Sequence, residues 1–169
     1  GAVVSDGDRL VGRWYRENEK ALATAQRARK EKRVKAIHAK TANRRKDDMH
    51  KFTTALVKRA GGVFVGDVAS AKMVKTGMAK STLDAGWSMF KTMLEYKCNH
   101  AGVVFEEVNE SFSTQTCSRC GSIEGPRGVA GLGIRQWTCG CGAVNDRDVN
   151  AARNIAARGL SRLAEGTQA

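Results

Sequence analysis

The chain has 169 residues, with 29 Lys or Arg against 17 Asp or Glu, so its formal net charge at pH 7 is +12. A hydrophobic fraction of 41% is enough for a packed core, which argues against wholesale disorder and fits one modest domain, or a domain with a small satellite. The sequence has neither an apolar run of about 18 residues nor a secretory signal, so it predicts a cytoplasmic, nucleoid-associated protein without a membrane partner. The excess positive charge favours nucleic acid as partner.

The first twelve residues predict a short strand that turns at Asp6-Gly7. Most of the charge follows, in residues 13–59, where sixteen Lys or Arg face five acidic residues. This segment contains no Pro or Gly, which predicts a helix over about Tyr15–Lys32, a break near Lys32-Arg33 and a second helix that Gly61-Gly62 ends. The second helix has an apolar seam of Val34, Ile37, Thr41, Met49, Phe52 and Leu56. The alternative is a helical hairpin whose charges only contact water. So many like charges close together favour contact with the phosphates of a nucleic acid. Phosphate contacts position a protein but do not recognise the base sequence.

A strand, a helix and a second strand are predicted next, which indicates a mixed α/β sheet. The first strand covers 63–68, a loop covers 69–80, and Ser81 caps the helix with Asp84 in a capping-box role. The buried stripe of the helix is Leu83, Trp87, Phe90 and Leu94, with Cys98 and His100 in structural roles at its end. In the second strand, over 103–110, alternation places Val104, Glu106, Val108 and Glu110 on one face.

Four of the five cysteines form two close pairs, Cys117 with Cys120 and Cys139 with Cys141, separated by 18 residues. An odd count with this clustering favours a metal over disulfides, and two facing pairs of thiolates predict a structural, tetrahedral Zn²⁺ site without an open position for catalysis. The second pair has one intervening residue instead of two, so its backbone must curl, which Gly140 permits. The alternatives are free reduced thiols, or a site in which Cys141 is a loose ligand.

Two acidic residues, Asp146 and Asp148, stand at the start of an Ala-rich helix that Gly159 is expected to close. An Asp in this place is commonly a helix N-cap. A carboxylate beside a second acidic side chain is also a ligand for the Mg²⁺ that supports phosphodiester hydrolysis. Composition leaves the two interpretations equal.

Together these motifs resemble the C-terminal part of the TnpB/OrfB family, insertion-sequence RNA-guided nucleases related to type V CRISPR effectors. The matching segments are NRRK at 43–46, HK at 50–51, DAGW at 84–87, LEYK at 94–97, STQTCSRCG at 113–121 and, most specific, DRDVNAARNI at 146–155. The resemblance implies an α/β, RNase H-like (RuvC) fold that lacks its first strand and has a long basic helical hairpin and an inserted zinc ribbon. Its parts would be a RuvC-like portion at 1–111 with basic helices at 14–60, the ribbon at 112–145, and a RuvC-like C-terminal helix segment at 146–169.

The resemblance further implies that Asp148, within D-x-N-A-A, binds catalytic Mg²⁺, and that guide RNA and target DNA are the partners. Their backbones would contact basic side chains of the helical hairpin: Arg33, Lys35, Arg44, Arg45, Lys46 and Lys51. Two departures matter. The family's first catalytic Asp would precede this sequence, and the slot of its second acid, a Glu in a V-E-D-L strand, is Gly66. Asp67 cannot replace the missing Glu, because neighbouring residues of a strand point to opposite faces. Some proteins that this chain resembles carry the second acid at the end of the next strand instead, and Glu110 fits that position. The alternative for Glu110 is a solvated strand-end acid.

Three functional hypotheses follow. The first is a transposon-associated, TnpB-like RNA-guided DNA endonuclease with Mg²⁺-dependent RuvC-type hydrolysis, inactive as this chain alone because one carboxylate is absent. The second is a non-catalytic, zinc-stabilised DNA- or RNA-binding module or regulator derived from the nuclease, which Gly66 favours. The third is a helical RNA-binding protein whose ribbon only braces it, with salt-sensitive binding that is indifferent to either acid.

Overall fold

The structure, a computed structural model, describes residues 1–67 and 79–166, without the side chains of residues 79–85 and Leu132. It opens with an antiparallel hairpin of β1, Ala2–Val3, and β2, Arg9–Leu10. Gly7 stands at the turn with φ 95°, in the left-handed region that suits glycine, so the turn predicted at Asp6-Gly7 is confirmed.

Two basic helices follow, α1 at Trp14–Arg27 and α2 at Glu31–Arg59, packed against each other. The break between them lies earlier than predicted near Lys32-Arg33. It falls at Arg29, which adopts a left-handed φ of 50° and donates its N–H to the Gln26 carbonyl. Of the predicted seam of α2, Met49 is buried and the other members are half-buried, while Thr53 and Val57 are buried in addition.

The central sheet of the chain is a parallel pair. Strand β3, Gly62–Gly66, pairs with β4, Val104–Val108, in a register that sets Gly66 opposite Val108. Helix α3, Ala79–Ala101, connects them and contributes Phe90, Leu94 and Cys98 to the main core. The mixed α/β arrangement and the burial of Cys98 agree with the sequence analysis.

The start of α3 differs from the expected one, because the helix begins at Ala79, before the proposed cap Ser81. The capping box of Ser81 with Asp84 and the contacts of Leu83 concern side chains outside the described part. Of the loop predicted over 69–80, residues 69–78 also lie outside it.

The last helix, α4, Arg147–Gly166, packs against β3 and β4. It does not close at Gly159, as the sequence suggested. Gly159 is buried within the helix, where a Cβ atom would overlap the ring of Phe64. The glycine is therefore explained by packing against β3 and not by helix termination.

A small ribbon lies between β4 and α4. Its strands β5, Gln136–Thr138, and β6, Val144–Asp146, are antiparallel, and a short 3₁₀ helix covers Ala130–Gly133. Trp137 packs with two cysteines in a core separate from the main one. Strand β6 runs directly into α4, so the ribbon and the last helix share one continuous backbone.

Candidate metal centre and neighbouring carboxylates

The ribbon brings together the four predicted cysteines, Cys117, Cys120, Cys139 and Cys141. Their Sγ atoms all lie within 4.8 Å of one another. The Cys117–Cys141 and Cys120–Cys139 sulfurs are 3.9 and 3.6 Å apart. Tetrahedral Zn²⁺ with bonds of about 2.3 Å requires sulfurs about 3.8 Å apart. The four side chains therefore fit a zinc ion.

Each cysteine pair sits on a tight backbone turn. Gly121 donates its N–H to the Cys117 carbonyl and Gly142 to the Cys139 carbonyl, both at 2.9 Å. The glycines have φ of 79° and 81°, so these two residues provide the conformational freedom that the turns need. The second turn closes one residue sooner, which accommodates its shorter spacing.

Gly140, which the sequence suggested as the source of the curl, has a different contact. Its N–H donates to Glu124 Oε2 at 2.7 Å, and a Cβ atom at this position would lie 3.1 Å from that oxygen. Glu124 is therefore held against the second turn, beside the Cys139 sulfur at 3.5 Å.

The environment of the sulfurs lowers the pKa of one cysteine and raises that of another. Although burial opposes ionisation, donors that include the backbone N–H groups of Cys120 and Arg119 lower the pKa of Cys117 to about 6. Hydrogen bonds from Ser122 and the Cys141 backbone also favour the Cys139 thiolate. Burial and the neighbouring thiols outweigh them, so that its pKa is raised to about 12. Four thiolates this close repel one another until a divalent cation compensates their charge.

A second candidate site contains Glu110, two residues beyond the end of β4. Its carboxylate occupies the space above Gly66, since a Cβ atom built on Gly66 would lie 2.5 Å from Glu110 Oε2 and 3.0 Å from Glu110 Cβ. Glu110 and Asp148 both line one cavity of about 370 Å³, together with Gly66 and Ala152. The structure thus brings the two predicted acids to one cavity.

Glu110 also lies in an unfavourable environment for an isolated negative charge. Burial, together with the negative charge of Asp67, raises the pKa of its carboxyl group. Asp67 accepts the Glu110 backbone N–H at 3.1 Å and donates its own to the Val108 carbonyl at 2.8 Å, which fixes the turn of chain that presents Glu110.

The two aspartates at the start of α4 have different roles. Asp146 is the N-cap, because its Oδ1 accepts the N–H groups of Asp148 and Val149 at 3.1 and 3.0 Å. The Val149 N–H makes the largest contribution to lowering the pKa of Asp146, and Arg9 at 2.7 Å adds to it. Asp148 is 40% exposed and has only longer ion pairs, 3.6 Å to Arg135 and 3.9 Å to Arg9.

Of the six basic residues predicted to bind nucleic acid, five are exposed: Arg33, Lys35, Arg44, Lys46 and Lys51. Arg44 pairs with Glu17 and Lys51 with Asp47, each at 2.6 Å. Arg45 is half-buried, and its Nε is a buried atom without a hydrogen-bond partner among the described residues. The surface of α2 therefore offers Arg33, Lys35 and Lys46 most directly to a polyanion.

Three residues that make hydrogen bonds around the candidate sites were not predicted from the sequence: Arg9, Asn150 and Asn154. Arg9 is 137 positions from Asp146 along the chain, and no local pattern connects them. Asn150 and Asn154 entered the sequence analysis only as letters of a motif. Both side chains are buried and bind the backbone just before the first cysteine pair, and Asn150 also binds the backbone within it. An amide two residues after a candidate ligand could have suggested this role for Asn150.

Comparisons with known proteins now bear on this site. The Cas12f1-like TNB domain family matches residues 87–155. A protein of Streptomyces pristinaespiralis is named as an RNA-guided DNA endonuclease. It is 40% identical to this chain over 151 residues, and the match covers 88% of this chain and 37% of that protein. The CRISPR-associated endodeoxyribonuclease Cas12f1 of Sulfoacidibacillus thermotolerans is 25% identical over 79% of this chain and 32% of its own length.

Among solved structures, a Cas12f1–sgRNA–target DNA complex matches with a TM-score of 0.62 and 19% identity, over 82% of this chain and 40% of that one. This likeness shows a shared fold. The chain spans less than half the length of each of these relatives. Among the helices of 1–67 and 79–166, none is both long and apolar enough to cross a membrane. The resemblance predicted from the sequence is confirmed: over most of its length this chain is similar to proteins named as RNA-guided DNA endonucleases, and it shares the fold of Cas12f1.

Proposed function

We propose that this chain acts as part of an RNA-guided DNA endonuclease, in which Glu110 and Asp148 bind Mg²⁺ for hydrolysis of DNA. The supporting observation is that the Glu110 carboxylate fills the space above Gly66, where the family places its second acid, and shares a cavity with Asp148. In this proposal the parallel pair and α4 form an RuvC-like core over 1–111 and 146–169, and residues 112–145 are an inserted ribbon held by structural Zn²⁺.

The two carboxylates suit a hard divalent cation. Glu110 comes from the end of β4 and Asp148 from the first turn of α4, and oxygen ligands of this kind are those that Mg²⁺ prefers. Bound Mg²⁺ would activate water and stabilise charge at the scissile phosphate. The partial burial of Glu110, which raises its pKa, also strengthens its attraction to a cation in the cavity.

Basic side chains supply the contacts for guide RNA and target DNA, which correspond to the sgRNA and target DNA of the matched Cas12f1 complex. Arg33, Lys35 and Lys46 are exposed along α2 and would pair with phosphates, with Arg44, Arg45 and Lys51 adding charge nearby. Arg9 and Arg135, which flank Asp148, lie where a phosphate bound at the carboxylates would meet them. A nucleoid-associated place in the cytoplasm follows from this role.

The carboxylate site is tested by titrating the zinc-loaded chain with Mn²⁺, a spectroscopically visible substitute for Mg²⁺. We expect Glu110→Gln and Asp148→Asn each to weaken Mn²⁺ binding by at least about tenfold, because each removes one charged ligand. Glu107→Gln is the matched control, since Glu107 lies on β4 only three residues before Glu110 but pairs with Lys91 at 2.9 Å. Unchanged affinity in both test variants would remove Glu110 and Asp148 from the site.

Cleavage is tested in a version extended at its start by a segment that supplies the family's first catalytic Asp, with guide RNA, Mg²⁺ and target DNA. Glu110→Gln and Asp148→Asn should each abolish cleavage, whereas Glu107→Gln should preserve it. Cleavage that survives both substitutions would refute the assignment.

One observation favours the second candidate, a non-catalytic nucleic-acid-binding module. Arg9 and Arg135 lie 3.9 and 3.6 Å from the Asp148 carboxylate, so side chains of the protein itself supply counter-charges to it. Such a module would bind RNA or DNA with steep salt dependence, would not cleave, and would be insensitive to Glu110→Gln and Asp148→Asn.

A further inference from the structure

Helix α4 is joined to the ribbon by two buried asparagines. Asn150 is 1% exposed and Asn154 is 9% exposed. Asn154 donates its amide N–H groups to the carbonyls of Ser113 and Thr116, at 2.8 and 2.7 Å. Asn150 donates to the same two carbonyls, at 3.2 and 2.7 Å. The segment that leads into the first cysteine pair is therefore bound to α4 by side-chain amides.

Asn150 makes one further contact, which Asn154 does not. Its Oδ1 accepts the backbone N–H of Ser118 at 2.8 Å, and Ser118 lies inside the turn between the ligand positions Cys117 and Cys120. The same side chain thus holds the chain just before the turn and the turn itself. Because it is buried, water cannot replace these bonds without rearrangement of the packing around it.

Asn150 also stands two residues after Asp148, within the first turn and a half of α4. The backbone that orients Asp148 is therefore the backbone that anchors the Asn150 side chain. A Zn²⁺ ion bound by all four cysteines would fix the conformation of the Cys117–Cys120 turn, since metal binding and folding are coupled in such sites.

We propose that Asn150 is a positioning residue, which couples zinc binding in the ribbon to the placement of Asp148 at the carboxylate cavity. The proposal rests on the proposed function only in taking Asp148 as a cation ligand. Zinc loading orders the Cys117–Cys120 turn, Asn150 binds the ordered turn, and the first turn of α4 is held with Asp148 facing the cavity. Asn154 fixes the same helix to the segment before the turn and lacks the contact that senses the turn.

The first test measures hydrogen exchange of a peptide that covers 147–152, by mass spectrometry. In the zinc-loaded chain this peptide should exchange slowly, and removal of zinc with a chelator should speed its exchange at least tenfold. Zinc-loaded Asn150→Ala should exchange as fast as the zinc-free chain, while Asn99→Ala, which changes an exposed asparagine of α3, should match the unmodified protein. A peptide from 88–98 reports that the main core stays folded.

Asn150→Ala must retain its metal for this comparison. Substitution of Co²⁺ for Zn²⁺ gives a thiolate charge-transfer band that reports an intact four-cysteine site, and we expect the same band in Asn150→Ala. Asn154→Ala should show a smaller increase in exchange than Asn150→Ala. Equal protection of 147–152 in the zinc-loaded Asn150→Ala variant and the unmodified protein would overturn the proposal, as would exchange that does not respond to zinc.

The second test measures Mn²⁺ affinity with and without zinc. If the two sites are coupled, zinc should increase the Mn²⁺ affinity that depends on Asp148 by at least about fivefold. In Asn150→Ala the Mn²⁺ affinity should be the same with and without zinc. If Mn²⁺ binding depends on Asp148 but its affinity is the same with and without zinc, the coupling is refuted and the proposed function is not. Loss of any Asp148 dependence would refute the proposed function, and the exchange measurement would still decide whether Asn150 links the ribbon to α4.

Discussion

The contact between Gly66 and Glu110 can be tested by adding one methyl group. In Gly66→Ala the new Cβ would lie 2.5 Å from Glu110 Oε2, 3.0 Å from Glu110 Cβ and 3.1 Å from Ile155 Cδ1. The carboxylate is the end of a flexible side chain and can rotate away, whereas the two carbon atoms must shift by a few tenths of an ångström. Overpacking of this kind costs about 1–3 kcal/mol, and we expect about 1–2 kcal/mol here.

The same substitution should affect the cation site, because relief of the overlap moves the carboxylate out of the cavity. We expect Gly66→Ala to weaken Mn²⁺ binding by about tenfold and to lower the free energy of unfolding measured in urea. Gly61→Ala is the control, since, apart from its chain neighbours, no atom in the described part of the chain lies within 4 Å of a Cβ built there. Its stability should change by less than about 0.5 kcal/mol.

A double-mutant cycle makes the reasoning refutable. In a Glu110→Gly background both Glu110 overlaps are gone, so the cost of Gly66→Ala should fall by at least about 0.5 kcal/mol. The exchanged variant, Gly66→Glu with Glu110→Gly, should bind Mn²⁺ better than Glu110→Gly alone. The reasoning would be refuted if Gly66→Ala lowered the free energy of unfolding equally with Glu110 present and in the Glu110→Gly background, and left the Mn²⁺ affinity unchanged. Such a result would show that side chains at positions 66 and 110 do not occupy the same space.

Three further predictions concern metal, pH and charge. Cys141→Ser should reduce zinc affinity as strongly as Cys117→Ser in a competition titration with a chromophoric chelator, and retention of tight zinc binding would support the loose-ligand alternative. Because the pKa of Glu110 is raised in the folded chain, the unfolded chain ionises first, so stability should fall as pH rises from the ordinary carboxyl pKa to the raised one. Urea unfolding against pH should show this loss in the unmodified chain and not in Glu110→Gln. Lys46→Gln should weaken RNA binding and reduce the slope of log affinity against log salt by about one, more than Lys51→Gln, whose cation is paired with Asp47.

Local patterns predicted the parts of the molecule that local forces determine. The cysteine spacing predicted the four cysteines that the fold brings together, and alternation and composition predicted both strands and the basic helices. Errors arose where a contact distant in sequence, or a backbone conformation that the residue type does not indicate, decided the outcome. Gly159 looked like a helix end, but the ring of Phe64 requires a glycine there. The break between α1 and α2 depends on one left-handed residue, Arg29, whose type gives no strong signal.

The candidate site shows the same division. The motif letters identified Asp148 as a ligand candidate, but the cap role of Asp146 and the ion pairs with Arg9 and Arg135 are properties of the folded chain. Nothing in the local sequence around Arg9 connects it to Asp146. Asn150 was visible in the motif, and only its three hydrogen bonds reveal that it joins the ribbon to the helix.

The position of Glu110 follows from the geometry of parallel strands. Since β3 and β4 run in the same direction and pair Gly66 with Val108, their carboxyl ends meet at one edge of the sheet. A side chain shortly beyond Val108 can therefore reach the volume that a side chain on residue 66 would occupy. The two positions compete for this volume, because a Cβ atom on residue 66 would crowd the Glu110 side chain that fills it. A glycine at 66 thus leaves the Glu110 carboxylate in place without strain, as the proposed relocation of the acid requires.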